Sequence, residues 1–295
     1  MLTEEELRKK IKSARDLYEI VRTMKSLAAV SMRHYQKAVE SAAEYFRTVE
    51  LGLQVVLRSG PPGLSPLTGE KNTDLLAVLF GSDRGLCGSF NGRMVSYALE
   101  VLHKSLDRYE KRTILCAGEQ AAVLLEAEGQ PVAELVPVPD SLQGIVSQVH
   151  YLVIKIEELQ RSGTIGSVVL FHNRLMAKST YEPVFLNLLP IDRSWLEELR
   201  GRKWQTNGQP TFSMDRIALF SSLVRQYLFV MLYRAFVESM AAENASRLSS
   251  MHAAEKNIEE RLDGLVSRYR QQRQSSITAE LLDIVSGFKA LRGRV

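Results

Sequence analysis

The positions of the prolines constrain this sequence more than any other feature. All nine prolines among the 295 residues lie between Pro61 and Pro210, so the first 60 and the last 85 residues contain none. Proline inside a helix removes a hydrogen bond and clashes with the preceding turn, so a helix continues most easily where proline is absent. Both ends of the chain can therefore form long helices.

The N-terminal segment carries a heptad pattern that predicts a coiled coil. A 4,3 spacing from Leu7 to Val56 meets an apolar residue at fourteen of fifteen positions, and Lys25 is the exception. A period of 3.5 residues favours left-handed coiling around another helix over packing on a globular core. Thr3 and Glu6 have the spacing of a capping box, so we expect this helix to run from about residue 3 to residue 57.

The C-terminal segment predicts a longer helix, from about residue 215 to residue 291. Its apolar stripe is interrupted by small residues that would let two helices approach closely: Ser239, Ala241, Ala242, Ala245, Ser246, Ser249 and Ser250. Residues 270–276 include no apolar side chain, so hydrophobic burial cannot hold this part. We expect part of this helix to extend past the end of its shorter partner.

Between the helices, strand and helix signals alternate, which predicts an α/β domain with a largely parallel sheet. The predicted strands are residues 75–80, 113–117 and 167–171, with an edge strand at 181–189. The predicted helices are residues 92–109, 119–128 and 142–160, and the predicted exposed connections are 58–73 and 200–210. We predict a mixed α+β and α/β fold with three parts: a coiled-coil helix at residues 1–58, an inserted Rossmann-like α/β domain at 59–210, and a second coiled-coil helix at 211–295.

Residues 81–91 have the setting of a phosphate-binding loop, because they follow a predicted strand and precede a helix. However, no Gly-Lys-Ser/Thr ends the loop, and its glycines lack dinucleotide spacing. We interpret Gly85, Cys87 and Gly88 as parts of a structural loop, with ligand binding as the alternative. Cys87 could also be an activated thiol near a helix N-terminus, but no histidine lies nearby in the sequence to act as its base.

Other residue patterns do not indicate catalysis, a metal or a cofactor. The five histidines lack metal-ligand spacing, and we interpret Glu255, Glu259 and Glu260 as a solvated helix face. Two cysteines are too few for a disulfide scaffold. The longest purely apolar stretches reach six residues, against the ~20 that a membrane span requires.

The charge is concentrated at the two ends of the chain. Residues 8–37 contain nine Lys or Arg against Asp16 and Glu19, and residues 261–294 contain seven against Asp263, Glu280 and Asp283. These ends carry charges of +7 and +4, while the rest of the chain is net negative. A basic coiled-coil end could bind nucleic acid or an acidic protein surface, or it could be a solvated face. No aromatic residue interleaves with 270–276, which disfavours nucleic acid.

Four separated stretches resemble the γ subunit of F-type ATP synthases, and they follow one another in the same order as in that family. The stretches are residues 20–29, residues 82–88, the set Glu238, Ser239, Glu243, Arg247, Met251 and Asn257, and residues 273–287. The last of these contains Thr278-Ala-Glu280 followed by Ile-Val-Ser-Gly, which looks like the signature of that family. Together the four matches are far more specific than any one of them.

Three stretches depart from the common pattern of the family: residues 24–33, the proline-rich and glycine-rich 58–73, and 193–211. These departures predict a divergent branch, and a second, sodium-translocating ATPase is one candidate. The ion ligands of such an enzyme belong to its membrane ring, so proton and sodium both stay open.

The resemblance implies that the coiled coil is the central shaft inside a hexamer of α and β subunits. The α/β part would grip the membrane c-ring and the small ε subunit, on the cytoplasmic side of a bacterial inner membrane. Matched position by position, Arg273 and Gln274 would make polar contacts with a loop of the catalytic β subunit, and Thr278 and Glu280 would support them. Met24 and Lys25 would face an acidic lever of β. Catalytic residues would lie in the hexamer, and no nucleic acid would be bound.

Two other classes of function stay open from the residues alone. One is an enzyme that binds a nucleotide at the 81–91 loop and oligomerises through a coiled-coil hairpin. The other is a free-standing coiled-coil adaptor.

Overall fold

The computed structural model describes residues 3–60, 74–106, 109, 111–176, 180–204, 208 and 210–292. The predicted connection at 58–73 lies largely outside these residues, as does part of the one at 200–210. The described residues divide into two units, one from 1–27 and 248–295 and the other from 28–247.

Two long helices run through both units. Helix α1 is Glu4–Arg58 and helix α6 is Arg216–Arg292, each within one residue of the expected limits. The capping box is present, because the Thr3 amide donates to Glu6 Oε2 at 2.8 Å and the Glu6 amide donates to Thr3 Oγ1 at 3.3 Å. None of the fifteen heptad positions is exposed, which confirms the seam.

The two helices pair in antiparallel order within each unit. In the unit of residues 1–27 and 248–295, Tyr269 donates to Glu4 and Tyr18 donates to Glu259, both at 2.9 Å. In the unit of residues 28–247, Tyr45 donates to Gln226 at 2.7 Å, and Gly52, later on α1, lies against Leu223, earlier on α6. In each unit, residues later on α1 therefore contact residues earlier on α6, which is the antiparallel order.

The α/β region is a five-stranded sheet with helices on both faces. Its strands are β1 Leu75–Phe80, β2 Arg112–Ala117, β3 Glu134–Val136, β4 Ser167–Leu175 and β5 Tyr181–Leu189. Its helices are α2 Phe90–Lys104, α3 Glu119–Ala127, α4 Leu142–Arg161 and α5 Arg193–Gly201. The strand order is β3-β2-β1-β4-β5, and only the edge strand β5 is antiparallel to its neighbour.

The two faces of the sheet have different cores. One face of β1, with Leu76, Val78 and Phe80, shares a cluster with α1, α4 and α6, and Phe80 meets Phe236 edge to face at 5.1 Å. The other face packs under α2 and α3. The long helices therefore form one wall of the α/β core in the unit of residues 28–247. The expectation that the heptads of α1 pack on another helix and not on a globular core is wrong for its second half, where Val49, Leu53 and Val56 belong to this core.

Sequence reasoning missed two elements. Strand β3 has only three residues, too few to show a period of two. Helix α5 falls in a stretch to which the sequence assigned no element, and Asp192 caps it by accepting from the Ser194 amide at 2.8 Å. Trp195 of α5 stacks on Phe46 at 6.3 Å, so tertiary packing stabilises this short helix. Helix α2 also ends at Lys104, before the predicted limit at residue 109.

Candidate functional site

Beyond Tyr269, α6 forms no hydrogen bond or ion pair with α1 among the described residues. The final hydrogen bond between the two helices joins Tyr269 to Glu4, the first residue of α1. Beyond it, several large apolar side chains are about half exposed or more: Ile277, Leu281, Leu282, Ile284 and Val285. A helix end with exposed apolar residues is incompletely buried by its own chain.

The predicted contact residues at this end are all exposed. Arg273, Gln274 and Thr278 line one cleft, and the Thr278 hydroxyl donates to the Gln274 carbonyl at 2.9 Å. Glu280 is exposed but does not line the cleft. The structure thus brings three of these four residues together, and their contact with a β subunit stays a prediction.

The cleft, of about 750 Å³, lies between the start of α1 and the last part of α6. Its cations are Arg8, Lys12, Arg15, Arg270 and Arg273, and Asp16 is its one acidic residue. Within the described residues, none of the five cations forms an ion pair. This basic cleft therefore carries a net positive charge that an acidic surface could neutralise.

Lys25, predicted to face an external acidic lever, has a carboxylate partner on α6. Its ammonium group forms an ion pair with Glu255, whose side chain is 12% exposed. The interpretation of Glu255 as part of a solvated face is therefore wrong, because Glu255 binds Lys25. Glu259 is exposed as expected and accepts from Tyr18. Glu260 is exposed as expected, and Met24 is half-buried. Met24 and Lys25 line no part of the basic cleft.

The 81–91 loop uses its polar groups within the fold. Asn91 accepts from the Ser82 amide at 3.0 Å and donates to the Ser82 hydroxyl at 2.8 Å. The Asp83 carboxylate accepts from the Glu119 and Val138 amides at 3.0 and 2.9 Å. Gly88 has φ +60°, a conformation that favours glycine. These bonds support the structural interpretation of the loop.

Helix α6 holds this loop from the other side. Ser246 donates to the Cys87 carbonyl at 2.6 Å, and Arg247 donates to the carbonyls of Arg84 and Gly85 at 3.5 and 3.4 Å. Ala242 packs in one cluster with Cys87. The small residues of α6 were predicted to let another helix approach closely, and they also let the 81–91 loop pack against α6. Glycine at position 85 has open space where a Cβ would lie.

The buried charge beneath the loop is paired. Arg247 also donates to Glu243 at 2.6 Å, and the two side chains are 12% and 8% exposed. Burial raises the pKa of Glu243, and Arg247 opposes that shift. Burial likewise raises the pKa of the Cys87 thiol, which argues against an activated thiolate at this position.

Comparison with known proteins gives the family. A model described as ATP synthase matches residues 3–291, nearly the whole chain. The chain belongs to the ATP synthase family. Its similar relatives are ATP synthase gamma chains, including that of Chlorobium phaeobacteroides (29% identical, covering 99% of this chain and 100% of the relative). The ATP synthase gamma chain of Sinorhizobium fredii is 26% identical, and the match covers 97% of this chain and 98% of the relative. The resemblance to γ subunits is confirmed.

Solved structures confirm the fold. A chain of the Euglena gracilis mitochondrial ATP synthase, in an OSCP/F1/c-ring structure, matches with a TM-score of 0.62 at 20% identity and covers 99% of this chain and 96% of that one. A second, from the rotor of the same organism's enzyme, has a TM-score of 0.58 at 18% identity and covers 93% and 98%. The combination of long terminal helices and an inserted sheet is thus the fold of these two ATP synthase chains. Among the described residues, no helix is long and apolar enough to cross a membrane.

Proposed function

We propose that this chain is the central-stalk γ subunit of a rotary ATP synthase and transmits torque between a membrane ring and a catalytic hexamer. The chain itself would hold no catalytic residue. The observation that carries the proposal is the end of α6, where exposed apolar side chains lie beside a cleft whose cations form no ion pair among the described residues. A partner that encloses this end would bury the first and neutralise the second.

The geometry suits a rotor that acts by differential contact. The basic cleft lies on one side of the helix pair, so a turn of the pair would present it to each catalytic site in succession. A ligand or partner shifts an equilibrium only by its difference in affinity for the alternative states. Arg273, Gln274 and Thr278 would supply that difference at the cleft, with Glu280 near them on the helix and Met24 and Lys25 farther along α1.

The other partners follow from the same proposal. The α/β region, residues 59–210, would grip the c-ring and the ε subunit, and the α and β subunits would surround the helices. The chain would be a peripheral protein on the cytoplasmic side of a bacterial inner membrane. It would belong to a divergent branch of the family, for which a sodium-translocating ATPase is one candidate.

Reconstitution with the partner subunits tests the proposal at Arg273. We expect Arg273→Ala, and Gln274→Ala less strongly, to lower coupled ATP turnover while leaving the melting temperature of the isolated chain nearly unchanged. In the complex, a hydrogen bond from Arg273 to a partner's charged group would be worth about 1.5 to 3 kcal/mol. In the isolated chain Arg273 is exposed, and exposed charged groups contribute only ~0 to 1 kcal/mol.

Arg268 offers a matched control, since it is exposed on the same helix but does not line the cleft. Arg268→Ala should leave turnover unchanged. Complex yield is measured beside turnover per assembled complex, which separates loss of assembly from loss of coupling. Normal assembly and normal turnover for both cleft variants would refute the role of this end.

A further inference from the structure

A buried histidine joins the sheet to the C-terminal helix. His172 on β4 is 3% exposed, and its Nε2 lies 2.8 Å from Glu238 Oε2 on α6. The other four histidines, His34, His103, His150 and His252, are exposed. His172 is thus the one histidine of this chain whose protonation would occur inside the core.

The hydrogen bonds at Glu238 fix the tautomer of His172. Glu238 also accepts from Arg234 at 2.7 Å and from Arg174 at 3.4 Å. Burial alone would raise the pKa of Glu238, but His172 and Arg234 outweigh it and hold that pKa well below its usual value. An ionised carboxylate only accepts hydrogen bonds, so Nε2 of His172 carries the hydrogen.

The second ring nitrogen has no partner. His172 Nδ1 is buried and makes no hydrogen bond in the structure. As the acceptor nitrogen of a neutral ring it carries no hydrogen. Adding a proton would create a buried N–H donor with nothing to receive it, and such a group is costly to leave unpaired.

The surrounding charges do not favour a further cation. Glu238 is a single carboxylate already paired with two arginines, Arg234 on α6 and Arg174 on β4. Strand β5 places Val184 opposite His172 and Glu182 opposite Arg174, and β1 carries no titratable residue. Burial, the larger effect, lowers the pKa of His172, and the attraction of Glu238 only partly offsets it.

We propose that His172 and Glu238 form an acid-sensitive latch, which holds β4 on α6 while the imidazole is neutral and releases it when Nδ1 is protonated. To hydrate the new N–H, the ring must leave its buried position, and its hydrogen bond to Glu238 is lost with it. The latch would loosen the seam between the sheet and α6 at acid pH. It concerns the stability of this chain and is independent of the proposed function.

The sign of the pH effect follows from linkage. The pKa of His172 is lower in the folded state than the ordinary value of 6.5. Above pH 6.5 the imidazole is mostly neutral in both the folded and the unfolded chain, so its titration does not reduce the stability there. Stability is then lost as the pH falls below the unfolded pKa. Below both values, each unit of separation costs about tenfold in the ratio of folded to unfolded chain.

Two measurements on the full chain test the latch together. Histidine ring NMR from pH 8 to pH 5 should show His172 neutral, with hydrogen on Nε2, to a lower pH than the four exposed histidines. Denaturant unfolding at pH 7.5 and 5.5 should then show that acid destabilises the unaltered chain more than His172→Gln, whose amide can still donate to Glu238 but does not titrate in this range.

The control is His103→Gln, which removes an exposed histidine of α2 and should keep the acid sensitivity of the unaltered chain. Hydrogen exchange, corrected for its intrinsic pH dependence, should rise at acid pH in β4 and near Glu238. The proposal is overturned if His172 titrates with the exposed histidines. It is equally overturned if His172→Gln retains the full acid sensitivity. Should that variant fail to fold, the titration and the site of faster exchange in the unaltered chain decide.

Discussion

The two units of the molecule are stabilised in different ways. The unit of residues 28–247 has a large apolar core in which Phe80, Phe171 and Phe236 are almost wholly inaccessible. In the unit of residues 1–27 and 248–295, the buried apolar residues among those described are few: Leu7, Ile11, Ala14, Met251 and Leu265. Polar contacts between its helices, such as Lys25 with Glu255, supplement that small core.

The outward surface of the second unit completes the contrast. Leu17, Ile20 and Leu27 of α1 are each more than half exposed, as are several residues near the end of α6. Isolated exposed apolar residues are common, but four of those on α6 lie within the five positions 281–285, and such a group indicates a surface that a partner covers. One unit is therefore stabilised mainly by its own core, while the other leaves apolar surface exposed.

The largest expected effect is in the core of residues 28–247. Phe236→Ala removes a ring that is 1% exposed and packed edge to face on Phe80. We expect the free energy of unfolding to fall by about 3 to 5 kcal/mol, because such a truncation leaves a cavity. Leu265→Ala in the smaller core should cost less and act locally. Denaturant unfolding with hydrogen exchange measures both, and equal global losses would contradict the contrast.

A second effect concerns the buried charge under the glycine loop. Arg247→Met leaves Glu243 buried without its cation, which typically costs about 3 to 5 kcal/mol. Burial already raises the pKa of Glu243, and the loss of Arg247 removes an effect that opposes this. The deficit should therefore shrink as the pH falls from 7 to 5, because the folded state binds the proton more tightly than the unfolded one.

Arg84→Met is the matched control for this variant. Arg84 pairs with Asp140 at 3.0 Å, but both side chains are at least three-quarters exposed. Such pairs contribute little, so this variant should unfold like the unaltered chain at every pH. A deficit in Arg247→Met that is independent of pH would show that packing, and not the Glu243 charge, is responsible.

A smaller effect tests the polar contacts of the coiled coil. Lys25→Glu would place two carboxylates together at Glu255, and we expect faster hydrogen exchange in residues 3–27 and 248–270. The exchanged pair, Lys25→Glu with Glu255→Lys, should recover most of the loss, since the coupling energy belongs to the pair. Coupled turnover separates the internal role from the external one: recovery of stability without recovery of turnover would assign Lys25 a contact with β as well.

Sequence reasoning predicted the fold well where the pattern was long. The heptads from Leu7 to Val56 extend over many turns, so α1 could be placed to within one residue. Short elements carried too little periodicity, and β3 was missed for that reason. At the site, the polar run that contains Arg273 indicated an unburied helix end.

Other parts of the site depend on contacts between distant segments and could not be read from local patterns. Arg8, Lys12 and Arg15 are spaced by four and three residues, so they share one face of α1, and this spacing could have revealed them. Their meeting with Arg270 and Arg273 depends on the register of α1 against α6. The heptad pattern of either helix alone does not fix that register, and the pairing of Lys25 with Glu255 was missed for the same reason.

The smallest expected signal is nucleotide binding by the isolated chain. An enzyme of the nucleotide-binding class would need the 81–91 loop free to receive phosphates, but α6 contacts it through Ser246 and Arg247, and Asp83 is satisfied by two amides. We therefore expect ATP or NAD to bind no better than millimolar, about 4 kcal/mol of binding free energy. Calorimetry on the isolated chain measures this, with Ser246→Ala as a variant that loosens the loop.

Micromolar binding by the unaltered chain would show that a loop held by α6 can still accept a ligand. The interpretation of Gly85, Cys87 and Gly88 as parts of a structural loop would then be wrong. If only Ser246→Ala binds, the contact with α6 is what keeps the loop closed.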